Sequence, residues 1–397
     1  MKRRNFLYIL FVGLAGIIGA AIGLRIPKAS NSTSNNNAQE ANIETSTNKS
    51  NVYKWKMVTS WPPNAPGTGA VAARLAKRIN ELSNNRIQIQ LYAAGELVGG
   101  LEVFDAVSRG TAELGHTASF FWQGKTPLTA FFTAVPFGLN PNQHHSWLYQ
   151  GGGQTLWDEL YSPFTLKPFA AGNTGPSMGG WFKKPLDFNS AQPFKGLKIR
   201  MPGLGGKVIQ RFGALPVSIP PTEIFTALQS GVIDAAELLA PWNDRAFGLH
   251  KLAKYCYYPG FHEPNGSAEC LVNLEVYQSL PADLRLIIDE SCRAECLLGL
   301  SESNWHNAIA MQQLRQEGVK FIPYPQKLLN AMQQVATEVI RDTATNPTIN
   351  INDTTQIGNR IYASYSEALR LTNEWEELQL RSQFGSQFGS QSRTQLK

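Results

Sequence analysis

Two short segments, one in each half of the chain, share a pattern that limits the folds open to it. The segments EVFDAVSRG (102–110) and EIFTALQSG (223–231) have Glu, Phe, Ala and Gly at identical positions. Each has apolar residues at helical spacing and ends at a glycine, which predicts a short helix. One such unit in each half predicts two similar α/β lobes that face a shared cleft, and chance similarity of two helix ends is the alternative.

The second copy belongs to a strand and helix series over residues 196–237. Residues 197–201 alternate apolar and basic side chains and stop at a Pro-Gly pair, which predicts a short strand ending near Arg200. The run 232–237 predicts a strand that carries Glu237 to the same edge of the sheet. Ligands bind beyond the carboxyl ends of strands in open α/β sheets, and a guanidinium can hold an anionic group in two parallel bonds. Arg200 is therefore a candidate anion ligand with Glu237 as its neighbour, and a solvated strand-end arginine is the alternative.

The first half predicts a similar β-α-β order. Strands are predicted at 52–60 and 87–92, helices at 68–83 and 102–110, and a further strand leads to the aromatic run 119–122. Phe120, Phe121 and Trp122 are predicted to line a ligand cleft with apolar walls. Core packing is the alternative for at least one of these rings, because successive strand residues point to opposite faces.

Three further polar residues are candidates for the cleft. Asn173 and Ser177 lie in a glycine-dense stretch, 173–182, which suits a crossover where the backbone approaches a ligand, with a hinge as the alternative. Glu263 lies beside a proline in an aromatic turn, 255–265, and brings a second carboxylate. Residues 281–316 predict one long helix, and two more helices follow.

The amino terminus predicts an export signal at 1–29, because basic residues precede an apolar run with small residues near its end. Arg3 and Arg4 are typical of a twin-arginine signal. Retention as an uncleaved anchor is the alternative, because the apolar run is close to the ~20 residues that span a bilayer. Residues 30–51 are rich in Asn, Ser and Thr and predict a flexible linker.

The remaining chain is predicted to be one two-lobed domain over 52–381. Lobe I is placed at 52–170, lobe II at 171–265, and the long and carboxyl-terminal helices at 281–381. The repeated polar sequence at 382–397 predicts a disordered tail.

The charge excludes one class of partner. The formal charge of +6 comes from 36 basic and 30 acidic residues, and five of the basic residues lie in the predicted signal, so the remainder is close to neutral. The body has no stripe of Lys and Arg with interleaved aromatics, so we expect no binding to nucleic acid. The glycines at 203–206 lack the third glycine of a dinucleotide fingerprint, because Val208 takes that place.

The histidine pair and the cysteines do not predict a metal centre. His144 and His145 lack a third ligand nearby in the sequence. Four cysteines are present, and buried free thiols are the default expectation. A disulfide between Cys256 and Cys270 is the open alternative for an exported chain.

Six motifs in order resemble a known family over about residues 52–381. They are WPP (61–63), GNTG (172–175), MGGWF (178–182), KGLKIR (195–200), DAAE (234–237) and PGFHEP (259–264). Together they are similar to the extracytoplasmic receptors of TRAP transporters. The resemblance is strongest to the DctP-type subgroup that binds 2-oxo acids such as pyruvate, or lactate, together with a metal cation.

This resemblance implies a periplasmic-binding-protein-like α/β fold. Two lobes joined by crossover strands and a long helix would close on the solute. Arg200 would hold the carboxylate, and Glu237, the backbone carbonyl of Leu238 and Glu263 would bind calcium or sodium. The chain departs from the subgroup at Ser177, where glutamine is usual, and at Leu238, where tryptophan is usual. These shorter side chains leave room for water or for a larger 2-substituted acid.

The resemblance also implies a receptor in the periplasm that delivers a monocarboxylate to membrane permease subunits and has no catalytic residues. Pairing of two protomers through the long carboxyl-terminal helices stays open. A 2-oxo or 2-hydroxy acid offers two adjacent oxygens that chelate a hard cation, which explains carboxylates placed beside an anionic solute. The alternatives are a secreted enzyme that uses Glu237 and Glu263 as an acid/base pair, and a ligand sensor with the same site.

Overall fold

A computed structural model describes residues 51–190, 192–345 and 354–384. The predicted export signal, the predicted linker up to residue 50 and residues 385–397 of the predicted tail lie outside the described residues. Among the helices of the described part, none combines the length and the apolar character needed to cross a bilayer.

The described residues form short strands and helices that alternate through most of the chain. The strands are β1 (Tyr53–Thr59), β2 (Ile87–Tyr92), β3 (Leu114–Thr117), β4 (Leu166–Asn173), β5 (Gly180–Phe182), β6 (Lys198–Arg200), β7 (Leu215–Val217), β8 (Ala235–Ala236), β9 (Tyr255–Tyr258), β10 (Ser267–Asn273) and β11 (Lys320–Pro323). The helices are α1 (Gly69–Leu82), α2 (Val103–Ser108), α3 (Pro141–Tyr149), α4 (Gly153–Tyr161), α5 (Gly203–Gln210), α6 (Ile224–Ser230), α7 (Pro241–Ala246), α8 (Leu249–Leu252), α9 (Leu274–Ser279), α10 (Ala282–Gln316), α11 (Gln326–Thr345) and α12 (Thr354–Phe384).

Two mixed sheets form the centres of two lobes. The first sheet has the order β2-β1-β3-β10-β4, and the second has the order β11-β9-β5-β8-β6-β7. In the first sheet β1 pairs in parallel with β2 and β3, whereas β10 runs antiparallel to β3 and β4. In the second sheet β6 pairs in parallel with β7 and β8, and β5 runs antiparallel to β8 and β9. The predicted two-lobed α/β fold is confirmed.

The same β-α-β-α-β unit opens the parallel part of each sheet. It runs from β1 to β3 in the first lobe and from β6 to β8 in the second, with the first strand of each unit in the middle. The echoed sequences form α2 and α6, which occupy equivalent places in the two units. Gly110 and Gly231 follow these helices with φ of 74° and 80°, a left-handed conformation that glycine adopts without a side-chain penalty. The sequence echo therefore corresponds to a structural one.

Two crossovers and a long helix join the lobes. The first crossover leads from β4 to β5 of the second sheet, and the second crossover leads from β9 back to β10 of the first sheet. Helix α10 packs against β4 and α1 of the first lobe and against α7 of the second. Glu295 of α10 is fully buried and accepts from Arg74 Nε at 2.8 Å and Arg78 Nη2 at 3.0 Å, both on α1. A buried carboxylate with two such partners ties α10 to the first lobe.

The structure differs from several sequence predictions. The predicted lobe boundary at residue 170 would cut β4, and β10, beyond residue 265, returns to the first sheet. Residues 119–122 form a 3₁₀ turn rather than a strand, and the predicted strand over 232–237 is reduced to the two residues of β8. Helix α12 continues to Phe384, three residues into the predicted tail.

The alternative disulfide between Cys256 and Cys270 is wrong. Cys256 lies in β9 of the second sheet and Cys270 lies in β10 of the first sheet, so the fold places them in different lobes. All four cysteines are buried free thiols. The default expectation for the cysteines is therefore confirmed.

Candidate functional site

Arg200 and Glu237 meet where two neighbouring parallel strands end. Arg200 is the last residue of β6, and its partner in the sheet is Ala236, the last residue of β8. Glu237 therefore lies one residue beyond the end of β8. Pro202 cannot donate to the sheet, which stops β6 and directs the chain into α5. Arg200 Nη1 donates to Glu237 Oε2 at 3.0 Å and to the Glu237 carbonyl at 2.7 Å. Both side chains are buried, so this ion pair lies inside the protein.

The second crossover brings Glu263 and His262 to this pair. His262 Nε2 lies 3.4 Å from Glu237 Oε1 and 3.2 Å from Ser177 Oγ, and Ser177 belongs to the first crossover. Ser177 Oγ also lies 3.2 Å from the carbonyl of Glu263 and donates to it. The two crossovers and the ends of β6 and β8 thus converge on one small volume.

Carboxylate oxygens in this volume lack hydrogen-bond donors. Ligand atoms of Glu237, His262 and Glu263 lie within 4.8 Å of one another, and all three residues are buried. Glu237 Oε1 and Glu263 Oε1 have no hydrogen-bond partner. Burial raises the pKa of Glu263 well above its usual range, and the charge of Glu237 adds to this shift, whereas Arg200 opposes it.

These features fit a hard cation. Buried carboxylate oxygens without donors cost free energy unless a positive charge binds them. Oxygen ligands are those that calcium prefers, and the two carboxylates lie within reach of one ion and leave coordination positions for a solute. The residues present therefore fit the metal that the sequence resemblance implies.

A cavity of about 470 Å³, part of it open to solvent, lies beside this cluster. Arg200, Thr133, Thr174 and Glu263 provide polar groups in its lining. Arg200 is the one basic residue among the described residues that line the cavity. The apolar wall comes from both lobes and is formed by Trp61, Phe120, Phe121, Leu238, Leu239 and Phe247.

The cleft residues predicted from sequence fall into two groups. Arg200, Glu263, Leu238 and Phe121 line the cavity, and Glu237 joins them through Arg200. The other group, Asn173, Ser177 and Trp122, does not line it.

Asn173 and Ser177 hold the crossovers together instead of lining the cavity. The side chain of Asn173 bonds Asn265 at 2.7 Å and accepts from the backbone of Gly175 at 2.8 Å. Asn265 in turn donates to the carbonyl of Thr133 at 2.8 Å, in the cavity wall. The predicted contact of Asn173 with the solute stays a prediction.

Trp122 lies in the core of the first lobe, where its indole packs against Phe104 and donates to Glu269. The physical reason is the 3₁₀ turn, which rotates successive side chains around an axis instead of alternating them across a sheet. Phe120 and Phe121 consequently face the cavity while Trp122 supports them from behind.

Sequence reasoning missed His262, Leu239 and Phe247. His262 stands beside Glu263 in the PGFHEP motif, and that position was the available signal. Leu239 and Phe247 had no local signal, because their place in the wall depends on how α7 and α8 pack across the cleft.

A family model described as bacterial extracellular solute-binding protein, family 7 (DctP), matches residues 57–346. The chain belongs to this family. The match includes both crossovers, the strand ends that carry Arg200 and Glu237, and the whole of α10. The sequence resemblance is thereby confirmed.

Individual relatives agree with the family match. A monocarboxylate 2-oxoacid-binding periplasmic protein of Nostoc sp. is 43% identical over 306 residues, which cover 76% of this chain and 83% of the relative. A TRAP periplasmic solute-binding protein of Colwellia psychrerythraea, solved with bound calcium and pyruvate, is 34% identical with a TM-score of 0.77, and the match covers 83% of this chain and 98% of that one. A TRAP periplasmic solute-binding protein of Pseudoalteromonas atlantica, solved with bound sodium and pyruvate, is 33% identical with a TM-score of 0.77, and the match covers 87% of this chain and 99% of that one.

Proposed function

We propose that this protein is the extracytoplasmic receptor of a TRAP transporter and binds a 2-oxo monocarboxylate together with a calcium or sodium ion. The observation that carries the proposal is the pair of buried carboxylate oxygens, Glu237 Oε1 and Glu263 Oε1, that have no donor and lie beside Arg200. The solved relatives with pyruvate and either cation support the same solute class. The Nostoc relative supports it as well.

Each charged residue has a distinct part in this proposal. Arg200 uses Nε and Nη1 in hydrogen bonds within the protein, and among the described residues its Nη2 has no partner, so that amino group is available to a solute carboxylate. Glu237, Glu263 and the carbonyl of Leu238 would hold the cation. A bound cation would supply positive charge for the two adjacent oxygens of a 2-oxo acid, which otherwise repel the glutamates.

The lining favours a solute with a single carboxylate and an apolar remainder. Arg200, the one basic side chain in the described cavity lining, can hold one carboxylate group. The rest of the wall consists mainly of aromatic and aliphatic side chains, among them Phe120 and Phe247. Contact of these side chains with methyl and methylene groups of a solute stabilises the complex. A second carboxylate in this wall would lose its hydration without gaining a partner.

Membrane permease subunits are the proposed partners, and the periplasm is the proposed location.

We also propose that the protein can form a homodimer through its carboxyl-terminal helices. In α12, Leu371, Trp375 and Leu378 are exposed at helical spacing and form an apolar stripe. Light scattering of the purified protein tests this point, and a strictly monomeric mass at high concentration would contradict it.

The alternative of a secreted enzyme makes a different prediction for the bound molecule. An acid/base pair would turn over its substrate, whereas a receptor returns the solute unchanged. Mass spectrometry of pyruvate released by denaturation after long incubation separates the two. We expect intact pyruvate, and a stoichiometric product would favour the enzyme.

Calorimetry tests the proposal directly. Pyruvate and lactate are titrated into chelator-treated protein, and the titrations are repeated with calcium and with sodium. We expect binding that depends on the cation. Equal affinity in all three conditions, or tighter binding of a monocarboxylate that lacks a 2-oxygen, would overturn chelation as the mechanism.

A further inference from the structure

His262 occupies a slot that fixes its ring beside the glutamates. Its side chain is buried, and the ring meets the edge of Phe261 at 5.4 Å between centroids. Helix α5 closes over it at Gly205, where a Cβ would lie 2.4 Å from the Cβ of His262. A side chain at position 205 would therefore displace the histidine.

The hydrogen bonds around Ser177 determine which form of His262 faces Glu237. The Ser177 hydroxyl has one proton, and the carbonyl of Glu263 accepts it at 3.2 Å. Ser177 Oγ is then an acceptor for His262 Nε2, also at 3.2 Å. A proton on Nε2 would face two oxygens, Ser177 Oγ at 3.2 Å and Glu237 Oε1 at 3.4 Å, whereas a lone pair there would face the carboxylate of Glu237, so the geometry favours the Nε2–H tautomer.

An Nε2–H group can attract a carboxylate oxygen, whereas a lone pair at Nε2 could bind a cation. Nε2 lies 3.4 Å from Glu237 Oε1, longer than an ordinary hydrogen bond but close enough to attract that oxygen. Arg200 already holds the other oxygen, Oε2, at 3.0 Å. Arg200 therefore holds one oxygen of the Glu237 carboxylate by a hydrogen bond, whereas Nε2–H attracts the other oxygen without forming a hydrogen bond to it. With the proton on Nε2, no lone pair at this nitrogen is left for a cation.

We propose that His262 is a positioning residue of the cation site. It directs Glu237 Oε1 through its Nε2–H and is itself not a ligand, and Ser177 fixes the ring for this purpose. The inference rests on the proposed function, because it concerns the same cation. It also assigns a role to Ser177, whose short side chain cannot reach across the site as the usual glutamine does.

The test uses two substitutions of His262 and a control. Glutamine places an amide N–H near the position of Nε2, whereas leucine fills the slot without a donor. His250→Gln is the matched control, because His250 pairs with Glu317 in the second lobe and lies outside the cavity lining. Calcium affinity without solute, pyruvate affinity at saturating calcium, and the melting temperature without cation are measured for each full-length variant.

We expect His262→Leu to weaken calcium binding by about 10- to 100-fold, the usual range for loss of an outer partner of a metal ligand. His262→Gln should keep most of the calcium affinity, and the control should match wild type. Pyruvate affinity at saturating calcium should change little in all three variants, which a general structural defect would not allow. Ser177→Ala should reduce calcium affinity in the same direction, and it provides an independent variant if leucine prevents folding.

Three results would overturn the inference. Wild-type calcium affinity in His262→Leu would remove His262 from the site's function. Equal losses in the leucine and glutamine variants, with a fall in the ratio of zinc to calcium affinity, would identify His262 as a direct ligand. Absence of any cation-dependent pyruvate binding in wild type would overturn the proposed function and this inference with it, so the two failures are distinguishable.

Discussion

The middle of the first sheet and the cleft both hold buried glutamates, and these glutamates differ in their hydrogen-bond partners. Glu269 lies on β10 in the middle of the first sheet, where Trp122 Nε1 donates to one oxygen and Tyr161 Oη lies 3.2 Å from the other. Glu237 and Glu263 lie in the cleft, and each has an Oε1 without any partner. All three side chains are excluded from solvent.

The difference shows why burial alone does not identify a binding site. Burial raises the pKa of Glu269 to about 8, and this carboxyl group is satisfied by neighbours from its own lobe. Asp244 is similar, because it accepts from Trp181 Nε1 at 2.6 Å and from the backbone of Leu239 at 3.1 Å. Among the buried carboxylates of the described residues, only Glu237 and Glu263 have an oxygen without a hydrogen-bond partner, and a cation can bind these oxygens.

The largest expected effect on solute binding is that of Glu263→Gln. Glutamine resembles the neutral form of Glu263, so the cation-free protein should keep its melting temperature. Cation binding should weaken by several kcal/mol, because a charged ligand is lost from a buried site. Calorimetry with calcium and then pyruvate measures this.

The matched variant for that prediction is Glu269→Gln, which leaves the cleft intact. Equal losses of calcium affinity in both variants would mean that a missing hydrogen-bond partner does not distinguish the cation ligands from other buried glutamates.

Arg200→Lys should weaken pyruvate binding by about 1.5 to 3 kcal/mol, the range for a hydrogen bond to a charged group. Lysine keeps the charge but cannot bond Glu237 and a solute carboxylate from one planar group. Titration of pyruvate at saturating calcium measures the loss. Arg211→Lys, outside the cavity lining, is the control. An unchanged dissociation constant for the Arg200 variant would remove this residue from the solute site.

Asn243→Ala should have a smaller effect. Asn243 of α7 in the second lobe donates to the carbonyl of Pro66 in the first lobe, away from the cavity lining. If solute binding closes the lobes, loss of this hydrogen bond between them should reduce pyruvate affinity by about 0.5 to 1.5 kcal/mol, the net contribution of one such bond. Asn330→Ala on the exposed face of α11 is the control. Tighter binding by the Asn243 variant would contradict a role in closure.

Glu269→Gln should leave solute affinity unchanged and alter the pH dependence of stability. The pKa of Glu269 is raised in the folded state from 4.5 to about 8, so the unfolded chain loses this proton first as pH rises. The contribution is fully present below pH 4.5 and is lost as pH rises towards 8, with a slope of at most about 1.4 kcal/mol per pH unit.

Chemical denaturation at several pH values measures that slope for wild type, for Glu269→Gln and for the exposed control Glu338→Gln. The slope should be reduced in the Glu269 variant alone. An identical pH profile in all three proteins would show that Glu269 does not titrate as its surroundings indicate.

The sequence by itself determined the repeated unit, the long helix and the edge of the second sheet that carries Arg200. Glycine stops, proline breaks and apolar periodicity act within a few residues, and they predicted β2 at 87–92 and α10 to within one residue at its start. The motif order also determined the family. These features are local, so a single sequence contains them in full.

Tertiary structure alone decided which buried carboxylates are satisfied. Trp122 reaches Glu269 across 147 positions in the chain, and Ser177 meets His262 across 85 positions. The side that each ring faces follows from a 3₁₀ turn that the alternation pattern did not reveal. Whether an oxygen has a donor depends on atoms brought together by packing of distant segments, and no local pattern in the sequence records that distance.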